Sequence, residues 1–358
     1  MPIKIMLWLS TEFWLLVSVI RNGVYAVMVQ IKQVKIPAAD ALGLSDVLEI
    51  YQALRPFMPA CRMGKARPAS RLIDLLDEFD GLVLDGYGVI NVGDGQIDGI
   101  AALLDAAASQ DKPVLVLTNG GSFSAEQTWK KYQGWQLPIA RDDVISSRDA
   151  FVFDCGKRQN NLMDLTRIGC FGRNIEALTG DHILVYGRDD DFWQQADEFV
   201  FLGALDWHEV DQAAFEVAMI TYPRRLHIAN PDVTAPQADG KFSTEPGYWT
   251  ARMIQAAANQ GIEVDVRWYG KPYGSAFNLA LARMQKRLGN LSNRSFDHPF
   301  DKSRIAMVGD SLHTDILGGA AVGMTTVLVT DHGLFRGQDA LPFCNSCGLL
   351  PDWIVNTL

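Results

Sequence analysis

Six residues far apart in the chain, Asp85, Thr118, Asn119, Lys271, Asp310 and Asp315, are of types that could share one reaction. Apolar runs lead into them: Leu82–Leu84 precedes Asp85, Val114–Leu117 precedes Thr118-Asn119, and Ile305–Val308 precedes Gly309-Asp310-Ser311. Lys271 follows the stretch Val264–Tyr269 and precedes Pro272. Taken alone, Asp85 reads as the start of a turn, Lys271 as a surface lysine before a proline turn, and Asp315 as a first-turn helix acid. Taken together they gain another reading, because all strand ends of a parallel sheet open on the same edge and can converge there. Two or three carboxylates, a hydroxyl and a lysine at one edge suit a phosphoryl group and a divalent metal. Asp85 could attack as a nucleophile, Mg²⁺ between Asp85 and Asp310 would offset the repulsion between carboxylate and phosphate, and Thr118 and Lys271 would donate to the equatorial oxygens.

The elements needed to position these residues are legible as a rhythm of strands and helices. Helical spacing runs over Ser45–Arg62, with Ser45 as N-cap, and a second short helix is expected over Ser70–Asp80. Strand Leu82–Leu84 is followed by helix Ile97–Ser109, strand Val114–Asn119, and a helix from Ser122 to about Tyr132. This alternation predicts an α/β fold, a doubly wound parallel sheet. From Pro138 the rhythm loosens, with strands expected at Val144–Ser146, His182–Gly187, Glu198–Gly203 and Leu226–Asn230. We read residues 138–244 as an inserted α/β module and residues 28–137 with 245–358 as the main domain. The return runs through helix Gly247–Gln260, strand Val264–Tyr269, helix Ser275–Leu288, a loop over Leu291–Asp301, strand Ile305–Ser311, helix Thr314–Val322 and strand Thr325–Thr330. The run Asp189-Asp190-Asp191 reads as a solvated turn or helix start.

Charge and composition narrow the function. A net charge of -10 argues against a nucleic-acid surface, so no nucleic-acid partner is expected. The five cysteines lack the pattern of a disulfide scaffold, and the C-x-x-C at Cys344 and Cys347 reads as a turn with two incidental thiols. Ile5–Ile20 is shorter than a spanning helix requires and carries Glu12, so no stable membrane span is expected. Residues 1–27 read as an extension foreign to the fold, with translation starting at Met28 and a cytoplasmic location. The alternative is a signal peptide ending at Val24-Tyr25-Ala26 and an exported protein.

The ordered set resembles the haloacid dehalogenase superfamily: Asp85-Gly86-Tyr87-Gly88-Val89 its first motif, Leu117-Thr118-Asn119 its second, Gly270-Lys271-Pro272 its third, and Gly309-Asp310-Ser311 with Asp315 its fourth. The insertion between the second and third motifs, and Asn230-Pro231-Asp232, resemble the class IIA branch of phosphatases. The resemblance covers about Leu82–Thr330. It implies a Rossmann-like core with a cap, Mg²⁺ as cofactor and a small phosphorylated substrate. It further implies Asp85 as nucleophile and metal ligand, the Tyr87 carbonyl and Asp310 as metal ligands, and Asp315 as their support or a further ligand. Thr118 and Lys271 would bind the phosphoryl group, and Asn119 would orient the nucleophile loop or substrate. Asn230 and Asp232 fall with substrate binding or the cap hinge. A homodimer through the cap is open by analogy with the branch.

One position departs from the pattern. Phosphatases of this superfamily carry a second Asp two residues after the nucleophile, which protonates the leaving oxygen and then activates water; here that residue is Tyr87. A phenol of pKa about 10 can donate a proton at neutral pH but makes a poor base. Tyrosine at this position resembles the 2-haloacid dehalogenases, whose halide leaves without a proton. Three readings stand: a metal-dependent phosphatase of weak or specialised activity, a dehalogenase-like hydrolase, and a non-catalytic phospholigand binder.

Overall fold

The computed structural model describes residues 27–159, 166–175, 178, 182–237, 239–291 and 300–358, the side chains of 154–159 excepted. The N-terminal stretch 1–26 and most of the loop expected over Leu291–Asp301 lie outside the described residues. Among the described residues no helix is long and apolar enough to cross a membrane.

A seven-stranded sheet forms the main layer, in the order Arg67–Arg71, Trp353–Thr357, Thr325–Val329, Ile305–Gly309, Gly81–Leu84, Val114–Thr118, Val144–Ser146. Every neighbouring pair in it is parallel. The central strands read as continuous apolar runs because helices cover both faces, and Gly81–Leu84 is buried throughout. Helices Ile100–Ser109 and Ala125–Gly134 contribute to the core on one face. Helix Gly274–Gly289 packs Phe277, Leu281 and Met284 against Val83, Leu115 and Met307 on the other.

A second parallel sheet, in the order Val266–Trp268, Arg225–Ile228, Glu198–Phe201, Ile168–Phe171, Ile183–Val185, belongs to the insertion. Its interior is aromatic: Phe171 meets Phe199, Phe201, Trp207 and Phe215 at ring-centroid separations of 5.0–5.5 Å.

The pairing moves the edges of the inserted module. Val144–Ser146 bonds to Val114–Thr118 and is the last strand of the main sheet. Val266–Trp268 bonds to Arg225–Ile228 in the second sheet instead of the main one. Strand partners lie outside the sequence window, so apolar runs alone did not assign either strand to its sheet. Ile168–Phe171 is a strand that the pattern did not single out.

Three local expectations are corrected. Arg67–Arg71 is an edge strand paired with Trp353–Thr357, followed by a 3₁₀ turn over Ile73–Glu78, where a helix over Ser70–Asp80 was expected. Leu72, Leu75 and Leu76 fall at helical spacing, and the short turn already buries them. Cys344 and Cys347 sit on helix Ala340–Cys347, not in a turn, and Cys344 is buried. Ser124, not Ser122, caps its helix: its hydroxyl accepts from Gln127 N–H while the Gln127 side chain accepts from Ser124 N–H.

Candidate active site

Asp85 leaves strand Gly81–Leu84 at the carboxyl edge of the main sheet, held by its own N–H to Val308 O (2.9 Å). Its Oδ1 accepts from Gly86 N–H at 2.6 Å and lies 2.5 Å from Lys271 Nζ. The same ammonium is 2.7 Å from Asp315 Oδ1, and only 1% of the lysine side chain is exposed. Lys271 therefore bridges two carboxylates out of contact with water. Burial alone would lower its pKa, but Asp315, Asp85 and Asp232 carry it above the ordinary lysine value.

The lysine is aimed by Asn119. Asn119 Oδ1 accepts from Lys271 N–H (2.7 Å), and its Nδ2 donates to Lys271 O (3.0 Å) and to Asp232 Oδ1 (2.8 Å). All three amide positions are thus used in tying the third motif and the Asn-Pro-Asp segment to the main sheet, and these bonds go to neither the nucleophile loop nor a free face. Thr118, one residue earlier, is buried at the cavity wall, where its Oγ1 accepts from Gly120 N–H (3.3 Å).

Asp310 follows strand Ile305–Gly309, and its Oδ2 accepts from Leu334 N–H at 2.8 Å. The chain then makes a π-helical turn, Leu312–Ile316, before α-helix Leu317–Val322. That wider turn brings Asp315 back beneath the site, where its Oδ2 accepts from Ser311 N–H (3.1 Å). An α-helix over Thr314–Val322 was expected; its first turn is wound differently.

Asp85, Asp310 and Asp315 each offer an oxygen within 4.8 Å of the others, and among the described residues this is the sole such group of possible metal ligands. An all-oxygen, buried carboxylate set fits a hard divalent cation. Glycine makes room for it: a Cβ on Gly333 would fall 2.2 Å from Asp310 Oδ2, and one on Gly88, whose φ is +79°, 2.4 Å from the same atom. Burial and the Asp315 charge push Asp85 up to about 8, and burial with Asp85 pushes Asp310 well above the carboxylate range. A cation at this spot would reverse both shifts.

Asp85, Thr118 and Asp310 line a cavity of about 380 Å³ between the main sheet and the insertion. Tyr87 lies on its wall, half-buried, with Lys131 Nζ 5.1 Å from its ring centroid. Burial, then the Glu245 charge, pushes the phenol up to about 12. Asn230 donates through Nδ2 to Glu245 Oε2 at 3.0 Å, while its Oδ1 accepts from Asp232 N–H at the same distance. Asp232 is raised to about 7 by burial, against the opposing pull of Lys271 and Asn119.

Glu245 and Tyr51 are among the wall residues that escaped the sequence reading. Glu245 sits thirteen residues beyond Asp232, after the hairpin of Thr234–Pro236 with Phe242–Thr244, and only the Glu-Pro opening of helix Pro246–Asn259 marks it. Tyr51 comes from helix Leu44–Leu54, which was read as a packing element. Its ring stacks on His313 at 4.9 Å and 4°, and its hydroxyl accepts from Val233 N–H at 3.0 Å.

Comparison with known proteins agrees with this layout. The family model described as haloacid dehalogenase-like hydrolase matches residues 82–190, and the one described as HAD-hydrolase-like matches residues 268–358. An acid sugar phosphatase of Staphylococcus aureus is 24% identical over 254 residues, 71% of this chain and 87% of that protein. A possible sugar phosphatase from Cytophaga hutchinsonii shares the fold with a TM-score of 0.66 at 24% identity, over 82% of this chain and 98% of its own. The p-nitrophenyl phosphatase from Archaeoglobus fulgidus does so with a TM-score of 0.58 at 21% identity, over 78% and 96%. The two matched segments carry Asp85, Thr118 and Asn119 in the first and Lys271, Asp310 and Asp315 in the second, and the chain belongs to the haloacid dehalogenase-like hydrolases.

Proposed function

We propose that this chain is a Mg²⁺-dependent phosphatase that hydrolyses a small phosphorylated metabolite through a phosphorylated Asp85. The observation that carries this reading is Lys271 Nζ, 2.5 Å from Asp85 Oδ1 and 2.7 Å from Asp315 Oδ1, beside Asp310. A buried cation touching the nucleophile can hold the negative charge of a phosphoryl group during in-line attack. Asp85 Oδ attacks phosphorus, and the Thr118 hydroxyl and Lys271 ammonium hold the equatorial oxygens. Asp85, Asp310 and Asp315, with the Tyr87 carbonyl, would hold the Mg²⁺. When bound, the ion neutralises charge on the acids and on the phosphoryl oxygens, so that an anion can approach a carboxylate. Asn119 fixes the Lys271 backbone and Asp232, so that the lysine and the Asn-Pro-Asp segment stay in register.

The module with the second sheet acts in this reading as a cap over the sheet edge. Asn230, Gln237, Ser243 and Glu245 give the cavity a polar wall suited to a hydroxylated leaving group. The sugar phosphatase names of the S. aureus and C. hutchinsonii proteins point the same way. The test is a panel of phosphorylated metabolites with and without Mg²⁺, on wild type and Asp85→Asn. Mg²⁺-dependent phosphate release that disappears in Asp85→Asn is the expected result. Release that survives the substitution removes Asp85 as nucleophile, and halide release from 2-haloacids without metal would replace the phosphatase reading.

A further inference from the structure

We propose that Glu245 is the general acid and base of this site, the part left vacant where Tyr87 replaces the usual second aspartate. The proposal rests on the phosphatase reading above. A phosphatase needs a group that gives a proton to the leaving alkoxide and then takes one from water. The Tyr87 phenol, pushed up to about 12, gives up its proton too reluctantly to serve afterwards as a base, and its ring faces Lys131.

Glu245 meets the requirements from a different element. It ends the hairpin of Thr234–Pro236 with Phe242–Thr244, where its N–H donates to Val233 O at 3.1 Å, and it lines the same cavity as Asp85 and Tyr87. Glu245 and Tyr87 both line this cavity, and of the neighbouring charges the Glu245 carboxylate raises the Tyr87 phenol most. Ser243 Oγ donates to Oε1 at 2.9 Å and Asn230 Nδ2 donates to Oε2 at 3.0 Å, which fixes the rotamer and leaves lone pairs free on both oxygens. Both donors are neutral, so neither holds the group permanently ionised. Burial in the cavity raises its carboxyl to about 7, which makes both protonation states available near neutral pH. Asp232 is the other raised carboxyl on this wall, but its Oδ1 is taken by Asn119 and the Lys271 charge draws it toward the ionised form.

In the first step Asp85 Oδ bonds to phosphorus, the bond from phosphorus to the ester oxygen breaks, and the protonated Glu245 gives its proton to that oxygen, releasing an alcohol. In the second, the Glu245 carboxylate takes a proton from water as the water oxygen bonds to phosphorus. The bond from phosphorus to Asp85 breaks, and inorganic phosphate leaves with Glu245 protonated again.

The experiment compares wild type, Glu245→Gln and Glu245→Gln with Tyr87→Asp on an alkyl monophosphate and on p-nitrophenyl phosphate, with Asp85→Asn as control and thermal unfolding as the check on folding. For Glu245→Gln, kcat/KM on the alkyl ester should fall by about 10²- to 10⁴-fold. On the aryl ester, whose leaving group needs no proton, kcat/KM should hold within about tenfold while a burst of nitrophenol reports accumulating phosphorylated Asp85. Tyr87→Asp in the Gln background should restore alkyl ester turnover. An equal loss on both esters without a burst, an unchanged kcat/KM on the alkyl ester, or a folded double variant no faster than Glu245→Gln overturns the assignment of Glu245. Wild type that releases no phosphate from either ester in an Asp85-dependent way overturns the phosphatase reading, and the Glu245 role with it.

Discussion

Replacing Lys271 by methionine is the sharpest test of how the site holds together. The substitution keeps an unbranched side chain of similar length, so it removes a charge and opens no large cavity. With an effective dielectric of about 20, the contacts of 2.5 Å to Asp85 and 2.7 Å to Asp315 correspond to roughly 6–7 kcal/mol of gross attraction each. Most of that is offset by the several kcal/mol needed to strip water from each ion, and removing one partner of a buried pair costs about 3–5 kcal/mol net. Chemical denaturation in a chelator at about pH 8 should give a loss of that size for Lys271→Met. At about pH 5 protons can neutralise the two abandoned carboxylates, so the loss should shrink. A loss below about 1 kcal/mol at the higher pH would mean that the contact has the worth of a surface pair. An equal loss at both pH values would show that charge is not what was removed, and either outcome refutes the reasoning. Activity should fall about 10²- to 10³-fold, the usual effect of losing one donor to a developing oxyanion.

Three other outcomes follow from the same geometry. Asp85 and Asp310 are raised above their unfolded carboxylate values, and Asp232 and Glu245 are raised to about 7. Stability from raised acids is present below about pH 4 and lost as pH rises through about 7–8, so in a chelator the denaturation midpoint should drop over that window. Adding Mg²⁺ at the upper end should recover much of the drop, and a midpoint indifferent to Mg²⁺ would contradict the carboxylate site. Gly333→Ala would place a Cβ 2.2 Å from Asp310 Oδ2, and a calorimetric titration should find Mg²⁺ affinity weaker by about 10- to 100-fold; unchanged affinity would mean that the loop yields freely. Tyr51→Phe leaves the buried Val233 N–H without its acceptor and should cost about 1–3 kcal/mol by denaturant titration, whereas no cost would place water at that amide.

The main sheet was readable from the sequence because parallel strands buried on both faces are continuous apolar runs, and the edge where the acids converge because several of these runs stop at a polar residue. Asp85, Thr118 and Asp310 were placed at that edge through signals on their own strands, whereas Lys271 follows a strand of the second sheet and Asp315 lies in the turn after Asp310. The sheet to which Val144–Ser146 and Val266–Trp268 belong was not readable, since hydrogen-bonding partners distant in sequence decide it. The same holds for Arg67–Arg71, an exposed edge strand with no apolar run to mark it and a partner near the other end of the chain.

What the sequence determined by itself is the order of chemical groups along the sheet edge and the substitution at Tyr87. Only the tertiary structure decided what surrounds them. Asn119, expected to orient the nucleophile loop or substrate, spends its amide on Lys271 and Asp232 because the chain return passes within hydrogen-bond reach. Tyr51 and Glu245 arrive at the cavity from a helix before the main sheet and from a hairpin that follows strand Arg225–Ile228 of the second one, where nothing nearby in sequence distinguishes them from packing and turn residues. Local pattern records what a residue does to its own strand or helix. Which side chains meet across a cavity depends on how separate elements pack, and that is settled only when the whole chain has closed on itself.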